Sequence, residues 1–124
     1  MNVWIELQKL QVEINKATVE DRKLLNLSLS AIVVLNALYE NKGQSTPSEL
    51  ARMTGKAVTS FTPILDELEH KHYIRRTPSI NGTDRRKVLI NLAGRSHLPA
   101  TRRYVDNVIK KINVQFGGRI NHED

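Results

Sequence analysis

The sequence predicts a mainly α-helical chain with one small β-hairpin, an α+β arrangement. Three observations predict it. Apolar residues recur at helical spacing near both ends and in the middle. The stretch Thr46–Lys71 reads as a short helix, a glycine break and a longer helix. Beyond it, Asn81-Gly82, a strong hairpin signal, separates Tyr73–Thr77 from the alternating run Arg86–Leu92.

The 124 residues fit a single domain, 1–124, without repeats or low-complexity tracts. There is no cysteine, which excludes disulfides, thiol redox chemistry and cysteine-ligated zinc. No apolar run approaches the roughly 18 residues of a membrane span. The N-terminus mixes charge into its apolar pattern and does not read as a signal peptide, so a cytoplasmic protein without membrane contact is expected. The 19 basic and 13 acidic residues leave a net charge of +6. Arg75, Arg76, Arg85, Arg86 and Lys87 against Asp84 concentrate +4 of it in one segment. A localised excess of that kind favours a polyanionic partner.

Val3, Leu7, Leu10, Ile14 and Ala17 form a 4-3-4-3 seam, with Trp4 beside it. So small a domain has little interior to cover such a helix, and residues 1–24 are expected at a subunit interface. Ser28 or Ser30 should cap the apolar helix that follows. Ala31, Ile32, Leu35, Leu38 and Tyr39 should form the core centre, with Gly43 as the C′ residue.

Thr46-Pro47-Ser48-Glu49 is a helix start: a threonine cap, a first-turn proline, and a glutamate able to reach the cap amide. The helix should end near Met53, at Thr54-Gly55. A second helix, about 57–71, places Val58, Phe61, Leu65 and Leu68 on its core side. Short helix, glycine turn and longer helix make a helix-turn-helix, whose second helix can enter a DNA major groove. A basic hairpin following it is a wing, spanning 75–90. The predicted fold is therefore a winged helix-turn-helix, with its core at 28–92 and dimerisation helices at 1–24 and 98–116. In the last of these, from Pro99, Val105, Ile109, Ile112 and Phe116 continue the seam until Gly117-Gly118, with a loose tail beyond.

The DNA-facing side of the second helix would carry Thr59, Ser60, Thr62 and Pro63. These small side chains can approach base edges, and no arginine stands ready to read guanine. Arg52 and Lys56 are candidates for phosphate, and Arg85, Arg86 and Lys87 for the minor groove. Asp66, Glu67 and Glu69 should point away from the DNA. Pro63 in a helix interior would remove a hydrogen bond to Thr59, so a continuous helix kinked there is expected. A late start capped by Thr62 is the alternative.

In order and spacing these pieces resemble the MarR family of winged-helix transcription regulators, over about Leu27–Leu92. The resemblance rests on Ser48-Glu49-Leu50-Ala51, on Leu65–Ile74, and on Asp84-Arg85-Arg86 with Leu92 beyond. It implies Arg86 as the wing arginine, Asp84 as the residue steadying the wing, and a homodimer on double-stranded DNA, and it leaves any small-molecule effector open. His72 replaces a usual glycine, so that helix end should be frayed or reshaped. Ala93 replaces a usual threonine cap, weakening the helix after it. The terminal helices look short for the family.

Nothing in the sequence points to an enzyme, a metal or a cofactor. His70 and His72 face different ways on a helix, His97 and His122 are isolated, and there is no glycine-rich phosphate loop. The competing reading is a winged-helix protein–protein interaction module of a larger assembly, without specific DNA binding.

Overall fold

The computed structural model describes residues 2–78 and 88–120, with the side chains of Phe116 and residues 118–120 left aside. Helix α1 (Val3–Leu25) begins at Asn2, whose side chain accepts from the Trp4 and Ile5 amides, and ends at Asn26 in a left-handed conformation. Ser28 caps helix α2 (Leu29–Glu40) by accepting from the Ala31 amide. In α2, Ala31, Ile32, Val34, Leu35 and Leu38 have no exposed surface, and Tyr39 is partly buried. Each fully buried Leu or Ile side chain stabilises the fold by roughly 1.5–3 kcal/mol relative to an exposed one. The left-handed C′ residue after α2 is Lys42 (φ 62°), not Gly43. Gly43 follows, and its amide closes the turn on Leu38 O at 2.8 Å.

Strand β1 (Gln44–Ser45) leads into α3 (Pro47–Thr54). Thr46 caps α3, accepting from the Glu49 amide at 3.2 Å with Pro47 in the first turn. The Glu49 carboxylate does not reach the cap amide. It accepts instead from the Thr46 hydroxyl at 3.3 Å and from Asn41 Nδ2 at 3.1 Å.

A single 3₁₀ turn, Val58–Ser60, precedes helix α4 (Phe61–His70). This corrects the continuous, kinked helix. Pro63 is the third residue of α4, where an amide has no intrahelical acceptor, so its missing N–H breaks nothing. The helix does start late, two residues earlier than a Thr62 cap would give. The 3₁₀ turn also overturns one core assignment: Val58 is 49% exposed, whereas Phe61, Leu65 and Leu68 are buried.

Helix α4 is not frayed at His72. The imidazole-bearing residue adopts the left-handed conformation itself (φ 68°), donating to Glu69 O at 3.1 Å while the Tyr73 amide donates to Leu68 O at 2.8 Å. That double closure is a Schellman turn. Tyr73 thus ends the helix and is buried, its hydroxyl donating to Leu25 O at 2.8 Å, and strand β2 runs Ile74–Pro78. Strand β3 (Val88–Leu92) pairs antiparallel with β2, Ile74 opposite Leu92 and Pro78 opposite Val88. On its other edge β3 pairs with β1, Ser45 opposite Ile90, giving the sheet order β1-β3-β2.

Ala93 caps nothing with its side chain. A short 3₁₀ segment, Gly94–His97, follows it, and the Ser96 hydroxyl donates to Ala93 O at 2.8 Å. Helix α5 (Pro99–Ile120) then packs along α1, joined by an ion pair between Lys111 Nζ and Asp21 Oδ2 at 2.6 Å. It continues through Gly117 and Gly118, because glycine permits a left-handed stop without imposing one. Residues 121–124, the rest of the expected tail, lie outside the described residues. Among the described residues no single helix is long and apolar enough to cross a membrane.

Candidate nucleic-acid interface

The surface of interest begins where α3 ends. Gly55 is left-handed (φ 74°) and donates to Ala51 O at 2.9 Å, while the Thr54 hydroxyl turns back to Leu50 O at 2.7 Å. The chain leaves α3 sharply, and Phe61, 1% exposed, anchors the far side of the turn. Everything between those two fixed points faces outward. Lys56, Thr59, Ser60, Thr62 and Pro63 are exposed, as is Arg52 in the last turn of α3. All six sequence-predicted residues thus lie on consecutive segments of one helix-turn-helix surface. Among the described residues neither Arg52 nor Lys56 ion-pairs with a carboxylate.

The three acids of α4 are all engaged inside the chain. The Arg76 guanidinium on β2 meets Asp66 Oδ1 at 2.6 Å and Glu69 Oε1 at 2.7 Å. Its hydrogen bond to Glu69 holds that carboxyl below its ordinary pKa, and the Asp66 carboxylate, with Glu69 second, raises the guanidinium's own. Glu67 accepts from the Ser28 amide and hydroxyl, both at 2.8 Å, and pairs with Lys71 at 3.5 Å. The cluster is not legible as such in the sequence, where Arg76 reads simply as part of a basic run. Arg76 and Lys71 offset two of these three negative charges. Arg75, next to Arg76, is exposed.

Asp84, Arg85, Arg86 and Lys87, the expected wing residues, lie outside the described residues. Strands β2 and β3 flank that segment, as a hairpin requires.

On the terminal helices the expected interface residues separate. Trp4 is 75% exposed and Leu7 47%, while Leu10 and Ile14 are half-buried. Ile109 and Ile112 are half-buried, packed against the core. Val105 is a correction: it has no exposed surface and belongs to the chain's own core with Val108, which the seam omitted. The Phe116 side chain lies outside what is described. Val3, Ile5, Val12 and Val114 are further exposed apolar residues on these two helices, each at least half exposed.

Two helices, a helix-turn-helix, a three-stranded sheet and a long terminal helix make up a fold that superposes on solved regulators. The organohalide-sensing transcriptional regulator RdhR in its ligand-free form aligns with 94% of this chain and 67% of its own, at 22% identity and a TM-score of 0.74. This is the fold of the MarR-family regulators. AbsC from Streptomyces coelicolor, a MarR-family transcriptional regulator, aligns with 96% of this chain and 79% of its own, at 18% identity and TM-score 0.70. A cysteine-to-serine mutant of E. coli MarR in complex with operator DNA aligns with 94% of this chain and 78% of its own, at 18% identity and TM-score 0.66. The MarR-like chain spans about two thirds of the length of RdhR. No protein-family model and no curated protein matches it.

Proposed function

We propose that this chain is a transcription regulator that binds double-stranded DNA as a homodimer. Val58–His70 enters the major groove, and the basic segment 75–90 reaches the minor groove, with Arg85, Arg86 and Lys87 as its cations. The observation that carries this reading is the helix-turn-helix surface. It presents Lys56, Thr59, Ser60, Thr62 and Pro63 outward, with Arg52 beside them, while every carboxylate of α4 is tied to a partner within the chain. Fold neighbours support it: MarR from E. coli is described with operator DNA, and RdhR as an organohalide sensor. The exposed apolar residues at the start of α1 support the homodimer. A role as a protein–protein module would keep the fold but give the basic segment no purpose.

Titrating a duplex against salt tests the proposal. If each subunit neutralises about three to five phosphates, log Kobs against log salt falls with a slope of roughly −5 to −9. A slope near zero, or no duplex retained at low salt, rules the reading out.

A further inference from the structure

We infer that Val58, Thr59, Thr62 and Pro63 read DNA through methyl and ring contacts, so that the recognised groups are thymine C5-methyls and the selected major-groove sites are A·T-rich. The inference deepens the DNA-binding reading above and rests on it.

Its first ground is what the groove-facing element lacks. Residues 57–70 contain no Arg, Lys, Asn or Gln. Arginine and lysine are the usual bidentate readers of guanine, and asparagine and glutamine those of adenine. Carboxylates can accept from cytosine N4, but Asp66 and Glu69 are held by Arg76 and Glu67 by Ser28 and Lys71. His70 stands in the last turn of α4, seven residues beyond Pro63 and so about 10 Å along the helix axis.

Its second ground is what the structure adds. The 3₁₀ turn swings Val58 out of the core, leaving it 49% exposed immediately before Thr59. A single exposed valine is ordinary. Here, however, the outward surface from Val58 to Pro63 consists of one isopropyl group, two threonines, one serine and one proline ring. Hydroxyls bond to any base edge and discriminate weakly. The discriminating contact left to this surface is apolar, and in the major groove the apolar group is the thymine methyl.

The test selects duplexes from a randomised pool at fixed salt, then remakes the best binder with deoxyuridine in place of thymidine. The inference expects A·T-rich sites and a loss of about threefold to fivefold in affinity for each contacted methyl removed. Val58→Ser, at an exposed position and checked for unchanged thermal denaturation, should shrink the ratio between thymidine and deoxyuridine duplexes. G·C-rich selected sites, equal affinity for the two duplexes, or an undiminished ratio in Val58→Ser would each overturn the methyl readout while leaving DNA binding intact. Failure to retain any duplex at low salt would overturn the DNA-binding reading itself, and this inference with it.

Discussion

Arg76 Nη2 stands 2.6 Å from Asp66 Oδ1, and through this contact strand β2 is bolted to helix α4. The backbone amide of Arg76 adds a bond to Glu69 Oε2 at 3.3 Å and its Nε one to Glu69 Oε1 at 2.8 Å. The Arg76 side chain thus adds two carboxylate contacts between α4 and β2 to the turn at His72 that already joins them.

Arg76→Gln should lower stability near neutral pH by about 1 kcal/mol, the upper range for pairs this open to solvent. Glu69 has its pKa lowered in the fold, so its contribution is present above the ordinary carboxylate value of 4.5 and is lost as pH falls below it. Thermal denaturation from pH 7 to pH 3 should show the wild-type advantage over Arg76→Gln shrinking below about pH 4.5. A constant difference across that range would mean that the contact contributes nothing through Glu69.

Gly94 and His72 make a second dependent pair. A Cβ at position 94 would stand 2.6 Å from the His72 carbonyl oxygen, and Gly94 is left-handed besides (φ 51°). Gly94→Ala should cost roughly 2–4 kcal/mol, from left-handed strain plus a backbone clash. His72→Gly should instead raise stability by about 1 kcal/mol, because it relieves a left-handed non-glycine residue without moving the carbonyl. Urea denaturation of the two variants would show the opposite signs.

Pro63→Ala should leave stability within about 1 kcal/mol of wild type and on the destabilising side. In the first turn of α4 the proline breaks no hydrogen bond, and it restricts the unfolded chain. A gain near 3 kcal/mol in denaturant titration would reveal the interior-proline strain that first-turn placement avoids.

Trp4 is the chain's one tryptophan and is 75% exposed in the isolated subunit. In the proposed homodimer its emission should be blue-shifted and move to the red on dilution. Leu7→Asp should keep it red at every concentration and yield monomers in sedimentation. A folded dimer with solvent-exposed Trp4 emission would place the interface elsewhere.

Local chemistry makes much of this chain legible in its sequence alone. Thr46 and Pro47 start α3, Gly55 ends it, Ser28, one of two serines the sequence offers, caps α2, and Phe61, Leu65 and Leu68 face the core. Each of these follows from residues within a turn or two of one another, where capping, left-handed turns and apolar period act directly. The exposed set from Arg52 to Pro63 is legible for the same reason, as the complement of that apolar face. The hairpin strands are legible too, as two strand-like runs separated by Asn81-Gly82, while Asp84, Arg85, Arg86 and Lys87 lie outside the described residues.

Contacts between distant segments decide the rest. Strand β1 is two residues long, too short to carry a period, and exists because Ser45 meets Ile90. Arg76 becomes a clamp because the turn at His72 brings β2 back against Asp66 and Glu69. The same apolar seam of α5 sends Val105 wholly inside and leaves Ile112 half-covered, since α1 and α2 close over it unequally. Val58 turns outward because the chain between Gly55 and Phe61 closes as a 3₁₀ turn, and a spacing that would bury the valine on an α-helix exposes it there.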